Sequence, residues 1–183
     1  VGIIYEDMPP DIFLCAVLNL IESGRITEKN IKIIFVGAHG CLKTFTYPVY
    51  QLLLKRGIIE EKGFVSHSES IKYMRGSGAL LLMSAKVSDS EQVVPSKVYE
   101  YLAARRPIIA LVNEHGFCAD LIRRSNSGYI MPIDDKEKIK TVILDLYSKF
   151  SGNSGLAIFQ KSDYFNAYER KNITHRLAEI MGN

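Results

Sequence analysis

The chain has 183 residues, of which 47% are hydrophobic and 23% are charged, and this composition argues against a disordered or fibrous protein. A formal net charge of +3 without a dense basic stripe argues against nucleic-acid binding. The longest unbroken apolar run, residues 12–18, is far shorter than the roughly 20 residues of a membrane-spanning helix, so we expect a soluble globular protein.

Short β-branched runs alternate with longer amphipathic segments, which is typical of a parallel sheet covered by helices. In chain order, the predicted elements are a strand at 3–5, a helix at 12–23, a strand at 31–36, a helix at 47–55, a strand within 58–65, a short helix capped by Ser68 and ending near Gly76, a strand at 79–83, a helix at 95–104, a strand at 107–111, a helix at 118–124, a strand at 128–131, a helix at 135–150 and a closing helix within 164–183. Six strands with intervening helices predict an α/β fold, a Rossmann-like doubly wound parallel sheet with helices on both faces.

The cysteines and the start of the chain indicate the cellular setting. Cys15, Cys41 and Cys118 are odd in number and lack C-x-x-C spacing, which favours buried thiols in a reducing compartment. The first residues carry no signal-peptide pattern and begin without Met in a strand-like segment. We therefore expect a fragment, or one domain of a longer protein.

The loop over residues 84–94 and the helix after it form the most informative segment, because ligands of doubly wound sheets bind outside the carboxyl ends of the strands. With Pro95 at the first helical position, the amides of Ser96 and Lys97 lack intrahelical acceptors, and the helix dipole there favours an oxyanion. Glu100 shares a helix face with Lys97, where a carboxylate can accept from ribose hydroxyls. The alternative is that Lys97 and Glu100 form an ordinary surface ion pair.

Residues 95–110 read P-S-K-V-Y-E-Y-L-A-A-R-R-P-I-I-A. This segment resembles the P-x-K-x-x-E-Y-x-A-x-x-x-P-I-(I/V)-A stretch of GT-B glycosyltransferases of the large group 1 (family 4) class. Residues 63–69, 79–84, 120–128 and 165–180 resemble further segments of that family in the same order. The resemblance implies that 1–183 form a single nucleotide-sugar-binding domain, the C-terminal half of a GT-B fold, whose N-terminal acceptor domain is absent from this chain.

The resemblance also implies roles for individual residues. Glu100, the second Glu of the family's E-x7-E motif, would bind the ribose hydroxyls, and the amides of Ser96 and Lys97 would bind the distal phosphate. Lys97 would stabilise the leaving group, and the nucleobase would lie against the main chain of Val65. The other expected substrate-binding residues are Ser66, His67, Gln92 and Val94.

Two positions depart from the family pattern. The first Glu of E-x7-E falls at Gln92, with Glu91 one position early, which leaves the identity of the sugar open. Many relatives carry an Arg and a Lys after the first strand, whereas residues 6–10 contain no cation. Lys97 or the absent domain would have to supply that positive charge.

The activity implied is transfer of a sugar from a UDP- or GDP-sugar to an acceptor hydroxyl, in polysaccharide or glycolipid synthesis. No metal or other cofactor and no nucleic-acid partner are expected. The implied location is the cytoplasm, with peripheral association of the full-length enzyme at the inner face of the membrane. This chain alone would bind nucleotide but turn over little. Two alternatives remain open: a sugar-nucleotide epimerase of GT-B architecture, and a non-catalytic α/β nucleotide-binding module.

Weaker signals have a structural reading beside the functional one. The turn at 37–40 is either a phosphate cradle or a strand-end turn, since it lacks the G-x-G-x-x-G spacing. Glu114 and His115 precede a predicted helix, where a solvated turn is the alternative to a place in the cleft. Asp89 and Glu91 are the nearest candidates for a cation, although solvation is the ordinary state of such residues.

Overall fold

The computed structural model describes residues 1–2, 10–37, 47–84, 91–151 and 170–182, in which helices alternate with strands. The helices are α1 (Asp11–Glu22), a 3-10 helix (Glu28–Asn30), α2 (Pro48–Lys55), α3 (His67–Gly76), α4 (Lys97–Ala104), α5 (Phe117–Arg124), α6 (Lys136–Ser151) and α7 (Arg170–Ile180). The strands are β1 (Ile33–Phe35), β2 (Ile59–Glu61), β3 (Leu80–Met83), β4 (Ile108–Leu111) and β5 (Gly128–Met131).

The order of elements confirms the alternation predicted from the sequence, with two corrections at helix starts. Ser66, not Ser68, caps α3. α4 begins at Lys97, so the prediction that Pro95 is the first helical residue is wrong. The strand predicted at 3–5, Cys41 and Asp89 lie outside the described residues.

All of the strand pairing among the described residues is parallel. β1 pairs with β2, and β3, β4 and β5 form a second sheet in that order. The α/β class is therefore confirmed, whereas a single six-stranded sheet is not what the described residues show. They contain five strands in two sheets, because no ladder among them joins β1 to β3 and the strand expected at 3–5 is not described.

The sheet β3–β4–β5 has helices on both faces. Successive side chains of a strand point to opposite sides, so neighbouring residues of β4 pack against different helices. Ile108 and Ala110 belong to a core cluster that includes residues of α4 and α5. Ile109 and Leu111 belong to the other cluster, which includes residues of α1, α6 and both strands of the smaller sheet. All four residues of β4 are buried, as expected for a central parallel strand.

The described part of the closing helix differs from the others in its exposure. Ile173 and Leu177 of α7 are about half exposed (48% and 54%), and Ile180 is 82% exposed, so these side chains are not packed on either sheet. None of the described helices is long and apolar enough to cross a membrane. Of the cysteines, Cys118 is buried and Cys15 is half-buried.

Candidate functional site

The segment that leads into α4, residues 95–97, is termed the α4 entrance. The carbonyl of Pro95 accepts from Val98 N (2.9 Å), and that of Ser96 accepts from Tyr99 N (3.3 Å), so the first turn is already closed when the helix begins at Lys97. Within the described part of the chain, no backbone carbonyl accepts from the amides of Ser96 or Lys97. The two predicted amide donors therefore remain available, although the helix starts later than predicted.

Lys97 and Glu100 form an ion pair beside these amides. Lys97 Nζ donates to both carboxylate oxygens of Glu100, at 2.9 and 2.8 Å. The two side chains are 31% and 34% exposed, and pairs this accessible contribute only about 0.2–1 kcal/mol. The alternative raised from the sequence, a surface ion pair, is thus what this structure contains. Because the pair is weak, a ligand that offers an anion to Lys97 and hydroxyl donors to Glu100 can replace it at little cost.

The first residues of the chain lie against the α4 entrance. The backbone nitrogen of Val1 donates to Tyr101 Oη at 3.1 Å. Burial, and next the charge of Glu100, raise the pKa of Tyr101, so its phenol stays neutral. A Cβ on Gly2 would lie 3.4 Å from Lys97 Cε. The side chain of Lys97 is therefore bordered by Glu100 on its own helix and by the backbone of Gly2.

Backbone contacts connect the α4 entrance to the ends of β1 and β2. Gly2 N donates to Val36 O and Gly37 N donates to Gly63 O, both at 2.8 Å. Gly37 has a φ of 133°, and a Cβ there would overlap the carbonyl of Gly2, so glycine is required at this position. A series of contacts through Gly37 and Gly2 therefore connects the loop after β2 to the side chain of Lys97.

The loop at 63–67, expected to meet the nucleobase, has its polar groups partly engaged. Ser66 Oγ accepts from Glu69 N (3.3 Å), while Glu69 Oε2 accepts from Ser66 N (3.0 Å) and Ser66 Oγ (2.7 Å). These hydrogen bonds lower the pKa of Glu69. Ser66 therefore caps α3, in the capping-box pattern S-x-x-E that its sequence shows. His67 is exposed and Val65 is half-buried.

The described end of the loop before α4 lies against the start of α5. Gln92 is exposed, and Val94 is half-buried against the core cluster that contains α4 and α5. The backbone carbonyl of Glu91 accepts a hydrogen bond from Phe117 N at 2.8 Å. No local pattern in the sequence predicts this contact.

The turn before α5 holds the two weaker candidates, Glu114 and His115. Both line an open cavity of about 420 Å³ at the N-terminal end of α5. Glu114 also forms an ion pair with Lys138 of α6. Among the described residues, no group of three or more His, Cys, Asp or Glu side chains could hold a metal ion.

Comparison with known proteins adds no family assignment. No protein-family model matches the chain, and no curated protein matches it. The function proposed for the α4 entrance therefore depends on the chemistry of its residues and on the motif at 95–110.

Proposed function

We propose that this chain is the donor-binding domain of a glycosyltransferase and that it binds a nucleoside diphosphate sugar at the α4 entrance. The observation that carries the proposal is the Lys97–Glu100 pair standing beside two amides that no described backbone carbonyl occupies. In this proposal the two described sheets are parts of one doubly wound sheet, the C-terminal half of a GT-B fold.

The nucleoside diphosphate has a complementary group for each part of the site. The amides of Ser96 and Lys97, together with Lys97 Nζ, bind the phosphate oxygens, where the helix dipole adds to the attraction. Glu100, released from Lys97, accepts hydrogen bonds from the ribose hydroxyls. The nucleobase lies against the main chain of Val65, and the neighbouring ring of Phe64, 84% exposed, offers it a stacking surface.

The chemistry at this half of the enzyme is electrostatic. The bond between the anomeric carbon of the sugar and the phosphate oxygen breaks, and its electron pair leaves with the diphosphate. Donors fixed at the α4 entrance stabilise the charge that develops on this leaving group. The acceptor hydroxyl bonds to the anomeric carbon and loses its proton to a group in the acceptor domain, outside this chain. Such a reaction suits polysaccharide or glycolipid synthesis.

Replacing Glu100 with alanine is expected to weaken nucleotide binding. Hydrogen bonds to a charged group contribute about 1.5–3 kcal/mol, so the Kd for UDP or GDP should rise about 10- to 150-fold. Titration calorimetry with each nucleotide, on wild type and Glu100→Ala, measures this change. Glu137→Ala is the matched control, because Glu137 also forms an i,i+3 ion pair, with Lys140 of α6, and its loss should leave the Kd unchanged.

Three results would contradict the proposal. Equal Kd values for wild type and Glu100→Ala would remove Glu100 from the site. If no nucleoside diphosphate binds or raises the melting temperature, the α4 entrance is not a nucleotide site. Epimer formation by the full-length protein without any acceptor would replace the transferase by an epimerase of the same architecture.

A further inference from the structure

The start of α5 makes a close backbone contact with the loop that leads to α4. Phe117 N donates to Glu91 O at 2.8 Å. A Cβ on Gly116, which precedes Phe117, would lie 2.9 Å from Glu91 O and 3.1 Å from Glu91 Cα. The absence of a side chain at Gly116 is therefore what lets the two segments approach closely enough for this hydrogen bond.

The α5 side of the contact is held in place by its own hydrogen bonds. Gly116 N donates to Asn113 O (3.1 Å), and His115 N donates to Asn113 Oδ1 (2.9 Å), which closes the turn after β4. Asp120 N donates to Gly116 O (3.0 Å) and joins the turn to the first turn of α5. Because β4 and the inner face of α5 are buried, the turn between them is held in a fixed position, against which the loop before α4 packs.

We propose that Gly116 and Phe117 position the described end of the loop before α4, residues 91–94, and thereby place Gln92 against the sugar of the bound donor. This inference rests on the proposed function and adds to it two positioning residues that decide how the transferred sugar is held. Gln92 follows Glu91 directly and is exposed, and its amide makes no hydrogen bond within the described chain. An amide can both donate to and accept from sugar hydroxyls.

The sugar and nucleotide parts of the site should respond differently to a shift of Glu91. The α4 entrance is anchored by the helix itself, since Val98 is fully buried and Tyr101 is only 3% exposed. Gln92 lies upstream of this anchored turn, on the segment that α5 holds. Moving Glu91 should therefore displace Gln92 while Ser96, Lys97 and Glu100 keep their places.

Gly116→Ala tests the steric half of the contact. Gly116 has φ −83° and ψ 164°, which alanine adopts without strain, so the effect comes from the approach to Glu91 alone. We expect the Kd of a nucleotide sugar (UDP-glucose or GDP-mannose) to rise about five- to tenfold, the loss expected for one hydrogen bond, while that of UDP or GDP stays within about twofold. Gly76→Ala is the matched control, because nothing lies within 4 Å of a Cβ there.

Phe117→Pro tests the hydrogen bond independently. Proline lacks the N–H, is tolerated at the first helical position, and favours the extended conformation that Gly116 already has. It should weaken sugar-nucleotide binding as Gly116→Ala does, whereas Phe117→Ala keeps the N–H and should bind as wild type. Melting curves and the Kd for UDP or GDP verify that each variant is folded.

The possible outcomes separate this inference from the proposed function. If wild type binds the nucleotide but both Gly116→Ala and Phe117→Pro keep the wild-type ratio of sugar-nucleotide to nucleotide affinity, the positioning role is overturned and the nucleotide site stands. The same holds if Phe117→Ala lowers the ratio as much as Phe117→Pro. If wild type binds neither ligand, the proposed function fails and the positioning role fails with it.

Discussion

Replacing Gly128 with alanine is expected to lower the free energy of unfolding by about 3 kcal/mol, the upper end of the usual cost of overpacking. Gly128 is paired in register with Ile108 of β4, and an added Cβ would overlap Ile108 O and lie 2.7 Å from Ile108 N. Both are backbone atoms of a strand packed between two helix layers, so neither can move without separating β4 from β5. Urea unfolding of wild type and Gly128→Ala measures the difference.

The control for this substitution is Gly76→Ala, which adds the same methyl group in open space. Because Gly76 is the last residue of α3, alanine there should not lower the free energy of unfolding and should raise it by at most about 1 kcal/mol. If Gly128→Ala did not lower the free energy of unfolding either, the close approach of β4 and β5 would not be a constraint on the fold.

Leu14→Ala should cost about 2–5 kcal/mol, the range for removing a large aliphatic side chain from a core. Leu14 is fully buried on α1, in the cluster that also contains Ile139 of α6. The structure around it can collapse only partly, so a cavity remains. The matched control is Leu177→Ala on α7, whose side chain is 54% exposed and should lose no more than about 0.5 kcal/mol. Equal losses of stability in the two variants would contradict the placement of Leu14 in the hydrophobic core.

The order of helices and strands could be predicted because the periodicity of apolar residues within a segment is a local property of the sequence. The apolar run at 79–83 predicts a strand buried on both faces. β3 lies there, but its residues alternate between buried and half-buried, and the strand buried throughout is β4. The bounds predicted for 128–131 are those of β5. Ser68 is the wrong cap because serines at 66, 68 and 70 are clustered around the start of α3. The Glu three residues after Ser66, which completes the capping box, identifies the right one.

The candidate site was predictable where its residues share a helix, and not where distant segments meet. The i,i+3 spacing places Lys97 and Glu100 on one face, and their 2.8 Å contact confirms this placement. The hydrogen bond between Glu91 and Phe117 joins segments that are far apart in the sequence, so periodicity carries no sign of it. The approach of Gly2 to Lys97 is likewise set by tertiary packing.

The most direct test of the proposed nucleotide site is a crystal structure of the chain, from crystals soaked with UDP- and GDP-sugars. We expect phosphate density within hydrogen-bond distance of the amides of Ser96 and Lys97. The Glu100 carboxylate should be turned from Lys97 Nζ to the ribose hydroxyls. Ordered nucleotide bound elsewhere, or an unchanged Lys97–Glu100 pair at saturating ligand, would contradict the account.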